Sequence, residues 1–173
     1  MKYLPYVNIK MGTKSVKRRS YGNTLPLTQL PFGMASYCIQ TGSEEGWFYH
    51  PDHEFAEGVR LTHQPSPWIN DYGTFIMTPQ NDVIADSAAQ AWSGYRIQES
   101  VQRPDYLKLT FIRSNCTFEL TPQNEAQRSD WSIMMRGLRC CRSYQQRVTT
   151  LTDSTVLRIL YLVQPMAIAR TLQ

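Results

Sequence analysis

Short apolar runs broken by turn residues dominate the chain, and no long stretch carries a sustained helical repeat. Pro31-Phe-Gly-Met-Ala-Ser-Tyr37 reads as the entry to a strand, with Gly33 allowing close approach of backbone or ligand. Gly73 to Met77 begins a second strand, stopped by the turn cluster Thr78-Pro-Gln-Asn-Asp82. Gly94 to Glu99, Tyr106 to Ile112 and Cys116 to Leu120 follow at a spacing of about ten residues, rich in β-branched and aromatic positions. Val156 to Val163 reads as a core strand ended by Gln164-Pro165. The pattern predicts a mainly β chain folded as an antiparallel β-sandwich. One short helix is expected over Asp82 to Trp92, where Ala85, Ala88, Ala89 and Ala91 cluster. Residues 1–20 are expected to be irregular, with Tyr3, Tyr6 and Val7 pinning them to a surface.

Length agrees with a single domain over residues 1–173, and a 42% hydrophobic fraction suffices for a packed core. Ten prolines and nine glycines imply many turns. No run of eighteen or more apolar residues is present, so no membrane span is predicted, and no secretion signal is visible. These features leave localisation open. The net charge of +4 is that of an ordinary soluble surface. Lys14, Lys17, Arg18 and Arg19, and then Arg136, Arg139, Arg142 and Arg147, match no nucleic-acid recognition pattern, and no nucleic-acid partner is expected. Cys38, Cys116, Cys140 and Cys141 lack zinc or redox spacing, and adjacent Cys140 and Cys141 would pair more easily with separate partners than with each other. Asn115-Cys-Thr117 has the form of a glycosylation sequon.

Candidate chemistry gathers in two polar, aromatic segments. Arg60-Leu-Thr-His-Gln-Pro-Ser-Pro-Trp-Ile-Asn-Asp-Tyr-Gly73 reads as a turn-rich loop, since Pro65 and Pro67 prevent a regular helix. Its His63, Gln64, Asn70 and Asp71 suit sugar hydroxyls, and the Trp68 indole suits the C–H face of a pyranose. Each has a structural alternative: His63 bonded to loop backbone, Trp68 plugging the sandwich, Asp71 and Asn70 capping a turn. Gly46-Trp-Phe-Tyr-His-Pro-Asp-His53 could form a facing wall through Trp47 and Tyr49. Its His50, Asp52 and His53 match no usual zinc signature, so no metal site is expected in the chain. A Gly-x-Ser-x-Gly elbow, a dinucleotide fingerprint and a phosphate loop are all missing, and no two carboxylates are set by sequence across a glycosidic bond.

Two segments carry a more specific likeness. Tyr21-Gly-Asn-Thr-Leu-Pro-Leu-Thr-Gln-Leu-Pro-Phe-Gly-Met34 resembles the opening signature of the family 92 glycoside hydrolases, the calcium-dependent exo-acting α-mannosidases. Thr62-His63, Pro65 and Asp71-Tyr72-Gly73 resemble that family's threonine-histidine loop and the element that follows it, in the same order and spacing. Tyr106-Leu-Lys-Leu and Phe118-Glu-Leu-Thr121 resemble paired strands of its amino-terminal domain. The likeness covers residues 7–121, is most specific over 21–73, and becomes poor afterwards.

The resemblance implies an amino-terminal β-sandwich that in the family packs against a larger helical-barrel domain, with the cleft between them. It implies inverting hydrolysis of terminal α-mannosyl linkages, with the acid, the base and the principal calcium ligands on the helical domain, which this chain is expected to lack. No catalytic residue is therefore expected here. Calcium is expected only with the full-length family enzyme, and the helical domain would have to come in cis or in trans. The resemblance makes His63 and the Asp71 turn one side of the cleft, and Gly33 and Met34 part of its base. Trp47, Tyr49, Gln64 and Trp68 join them on chemical grounds as groups suited to an α-linked mannoside or other glycan. An isolated copy is expected to lose most catalysis or to bind carbohydrate weakly, because acid and base must converge on one bond. A non-catalytic protein-interaction domain on a β-sandwich is the contrasting reading.

Overall fold

The computed structural model describes residues 3–31, 33, 35–42, 47–69, 71, 74–80, 90–122, 138–142 and 156–161, the last two segments as strands. Ten strands follow in chain order: β1 (Ser36–Gln40), β2 (Phe55–Ala56), β3 (Gly58–Thr62), β4 (Phe75–Gln80), β5 (Ser93–Gly94), β6 (Val101–Arg103), β7 (Tyr106–Phe111), β8 (Cys116–Leu120), β9 (Leu138–Arg142) and β10 (Val156–Tyr161). They form two four-stranded sheets, ordered β1-β3-β4-β10 and β6-β7-β8-β9, and a small pair β2-β5. Every pairing is antiparallel. The expected mainly β, antiparallel architecture is the one that forms.

The second sheet follows simple alternation. Leu107, Leu109 and Phe111 on β7 and Cys116, Phe118 and Leu120 on β8 are buried, while Lys108, Thr117 and Glu119 between them are only partly covered. One face therefore enters the core, each large side chain contributing about 1.5–3 kcal/mol by burial. In the first sheet both faces of β1, β3 and β4 are buried. Register puts Tyr37, Ile39, Val59, Leu61, Phe75 and Met77 on one face, and Ser36, Cys38, Gln40, Arg60, Thr62 and Ile76 on the other. The first set is apolar and belongs to one contiguous cluster with Leu107, Leu109, Phe111, Phe118 and Leu120. The second set is mostly polar, and it is this face that leads to the candidate site.

Several expectations are corrected. Arg60 to Thr62 lie in β3, a buried strand, and the irregular segment begins only at His63. β4 does not stop at Thr78 but runs through Pro79 to Gln80. Met77 is the last β4 residue paired with β3, so a residue without an amide hydrogen at position 79 costs that pairing nothing. Thr78 is meanwhile held in by its hydroxyl, which donates to the Glu57 carbonyl. The strand expected over Gly94 to Glu99 reduces to β5 and a bridge at Tyr95, followed by a 3₁₀ turn at Ile97–Glu99 closed onto Arg96 and Ile97. Tyr3, Tyr6 and Val7 are exposed. The helix expected over Asp82 to Trp92 falls mainly on residues 82–89, outside the described residues. Cys116 is disulfide-bonded and Cys38 is a buried free thiol. No helix among the described residues is long and apolar enough to cross a membrane.

Candidate functional site

Thr62 closes β3, and its hydroxyl donates to Asp71 Oδ2 at 2.6 Å. The other oxygen, Oδ1, accepts the His63 amide at 3.2 Å and lies 3.8 Å from His63 Nδ1. Thr62 Oγ1 in turn receives the Gln64 amide at 3.2 Å. The side chain of Asp71 is 4% exposed and that of His63 19%. Asp71 is thus a buried carboxylate that ties the end of β3 to the segment returning toward β4, a use of an acceptor-only group that leaves it turned inward. Of the two expected uses of Asp71, the hydrogen bonds from Thr62 and the His63 amide are those that shape the loop.

The next turn joins the two signature segments. Ser66 Oγ donates to Asn23 Oδ1 at 2.6 Å and accepts the Trp68 amide at 3.3 Å, which starts the short 3₁₀ turn Pro67–Ile69. Asn23 ends a stretch in which Ser20, Tyr21, Gly22 and Asn23 all have positive φ. Such backbone is costly for residues other than glycine and persists where surrounding contacts hold it. At Gly22 a Cβ would strike the Gly12 carbonyl oxygen, so no larger residue fits.

These backbone constraints build an aromatic stack. Tyr21 lies on Trp47 with ring centroids 5.7 Å apart and planes inclined by 18°, and Trp47 lies on Trp68 at 5.7 Å and 29°. Trp47 is 4% exposed, and its Nε1 donor finds no acceptor among the described residues. Trp68 is 42% exposed and ends the stack at the surface. Contacts of this type contribute about 0.5–1.5 kcal/mol each beyond burial and present a flat apolar edge beside polar groups.

His63, Gln64, Trp68, Asp71 and Trp47 are therefore brought together through Thr62, Ser66 and the stack. For two other expected site residues no described ring contact joins them to the stack. Tyr49 is a core residue, 2% exposed, whose phenol is pushed well above its usual range by burial. Gly33 occupies a turn closed by its own amide onto the Leu30 carbonyl, and no described contact joins it to the stack. Asn70, Tyr72, Gly73 and Met34 fall outside the described residues. Tyr21, Ser66 and Asn23 were not anticipated as site residues. Tyr21 opens the signature segment, but only the left-handed backbone turns its ring onto Trp47.

A second aromatic group lies around β2. His50 and His53 are 4.9 Å apart, His53 stacks on Phe55 at 5.1 Å, and Trp92 meets Phe55 edge-on at 6.3 Å. His53 Nδ1 is 3.0 Å from the Thr41 carbonyl oxygen, and Asp52 forms a 2.9 Å ion pair with Lys14. The groups of His50, Asp52 and His53 thus have turn and surface partners. Among the described residues no three His, Cys, Asp or Glu side chains are arranged to hold a metal ion.

Comparison with known proteins sets this geometry in a family. The family description that matches is "Glycosyl hydrolase family 92 N-terminal domain", over residues 6–127. Among solved structures, a family GH92 inverting mannosidase from Bacteroides thetaiotaomicron superposes with a TM-score of 0.61 and 37% identity, covering 69% of this chain and 16% of its own. A family GH92 α-mannosidase from the same organism shares the fold, with a TM-score of 0.56 and 23% identity over 72% of this chain and 17% of its own. The same α-mannosidase in complex with mannoimidazole gives 0.58 and 24% over the same shares. No curated protein matches the chain. The chain spans about one sixth of the length of these solved relatives. With the match extending over most of the chain and containing both signature segments, the protein belongs to glycosyl hydrolase family 92, as its N-terminal domain.

Proposed function

We propose that this chain contributes one wall of the mannoside-binding cleft of a family 92 α-mannosidase, recognising the sugar and leaving bond cleavage to groups outside the chain. The observation that carries this reading is the Tyr21–Trp47–Trp68 stack, held where the two signature segments meet through Ser66 and Asn23. Trp68 supplies a half-exposed indole for a pyranose C–H face, and His63 and Gln64 supply polar groups beside it. Asp71 sets the path of the loop through Thr62 and the His63 amide. The helical domain, in cis or in trans, supplies the acid, the base and calcium, and the chain alone binds weakly and does not hydrolyse.

Calorimetric titration of the 173-residue chain with mannose and with α-1,2-mannobiose tests this reading. Heat above dilution that disappears in Trp68→Ala is the expected result. Absence of heat with both sugars counts against it. A second reading, a docking surface for a protein, is favoured by the exposed Phe55, Trp92 and Ile112.

A further inference from the structure

Arg60 occupies the middle of β3, opposite Cys38 on β1 and Ile76 on β4, and is 6% exposed. A guanidinium is an expensive group at such a position, where an aliphatic side chain would pack without desolvating a charge. Its contacts suggest what it does there. The guanidinium carbon lies 4.5 Å above the centre of the Phe48 ring, within cation–π range. Phe48 follows Trp47 in the chain, and its carbonyl accepts the Thr41 amide at 2.8 Å. Nη1 of Arg60 reaches Gln40 Oε1 at 3.4 Å, and the Gln40 amide donates to Glu57 Oε2. On the same face of β3, Thr62 donates to Asp71 Oδ2, which brings that carboxylate to the side of the strand that Arg60 occupies. Burial lowers the pKa of Arg60, and Asp71 first, then Cys38 and Glu57, oppose that effect. Arg60 Nε finds no acceptor among the described residues.

We propose that Arg60 is a positioning residue that couples the two walls of the site: through Phe48 it seats the loop carrying Trp47, and through Asp71 it holds the end of β3 and the loop carrying His63 and Trp68. The two loops then order together. An uncharged residue of the same size would fill the space but would lose the cation–π contact with Phe48 and the attraction to the Asp71 charge. Arg60→Lys keeps the charge but loses the planar fork and most of the overlap with the ring. The consequence for sugar binding rests on the function proposed above, whereas the coupling itself does not.

Hydrogen–deuterium exchange on the 173-residue chain tests the coupling. The reporters are the amides of His50, which donates to Thr41 Oγ1, and of His63 and Gln64, which donate to Asp71 Oδ1 and Thr62 Oγ1. The controls are the amides of Leu109 and Phe118 in the second sheet. In Arg60→Met all three reporters should exchange roughly tenfold faster while the controls are unchanged. Arg60→Lys should produce an intermediate increase. Phe48→Leu, a milder change, should speed exchange at His63 and Gln64 as well as at His50, which a local packing role for Phe48 would not do. Acceleration confined to one loop, acceleration equal in reporters and controls, or no acceleration would overturn the proposal. Global unfolding of both Arg60→Lys and Phe48→Leu would overturn it too, since it would make Arg60 a general core residue. Wild-type titration with mannobiose is scored separately: its failure removes the sugar-binding reading and leaves the exchange result standing.

Discussion

The two four-stranded sheets are built on the same pairing rule and differ in what their outer faces are asked to do. In the second sheet one face of β7 and β8 is core and the other is partly open, so hydrophobic and polar residues alternate along them. In β1-β3-β4-β10 the strands β1 and β3 are buried at every residue, and the face turned from the apolar core carries Ser36, Gln40, Arg60 and Thr62. Covering a polar face demands that its groups be paired: Arg60 reaches Gln40, and Thr62 donates to Asp71 in the loop of the candidate site. One sheet is scaffold, and the other is scaffold and template at once.

That contrast can be broken most forcefully at Phe118, which is 1% exposed in the second sheet. Phe118→Ala should cost about 3–5 kcal/mol in denaturant unfolding, while the folded fraction keeps the near-ultraviolet dichroism of the tryptophan stack. Loss of that dichroism in molecules that are still folded would mean that the second sheet also shapes the site.

A smaller effect is expected from alkali. Burial first, with the nearby Cys38 and Glu54 adding to it, pushes the Tyr95 phenol up from 10.0 to about 12. The neutral form is thus favoured in the folded state, and the stabilisation is complete below the unfolded value. It should be lost as pH rises from about 10 to about 12, amounting to on the order of 2 kcal/mol. Tyr95→Phe should flatten this alkaline limb, as followed by unfolding midpoints across the window. An unchanged limb would place the alkaline sensitivity elsewhere.

Thr62→Val sharpens the comparison from the first sheet. Replacing the hydroxyl removes the bond to Asp71 and leaves a buried carboxylate oxygen short of a donor, at a cost of roughly 1–3 kcal/mol. Here the dichroism of the stack should fall although the second sheet keeps its exchange protection. The least effect belongs to Lys14→Met. The Lys14 ammonium, hydrogen-bonded to Asp52, holds that exposed carboxyl below its usual range, so whatever the pair contributes is present at neutral pH and fades as pH falls. No measurable change in midpoint at pH 7 is expected, and a clear loss would show that the surface around His50 and His53 matters to the fold.

Two strands of the second sheet were legible from sequence because β7 and β8 are single-sided: β8 was anticipated residue for residue, and β7 to within one position. The first sheet was harder to read. Gly58-Val-Arg-Leu-Thr62 has a charge at its centre, and a strand buried on both faces offers no alternation to detect. Arg60 accordingly looked like the start of a polar loop. At the site, His63, Gln64 and Trp68 were marked by chemistry, and both segments by the family resemblance, but the inward turn of Asp71 and the core placement of Tyr49 follow from packing.

The sequence by itself determined the class of fold, through short apolar runs and turn residues, and the family, through two ordered signatures, since both are properties of local spacing. Only the tertiary structure decided that those signatures touch, through Ser66 and Asn23, residues separated by 43 positions. It also decided that Tyr21, Trp47 and Trp68 form one stack, and that Arg60 is buried with its guanidinium over Phe48. The physical reason is that a hydrogen bond or a ring contact depends on separation in space, and residues distant along the chain acquire that separation only when the sheet registers close.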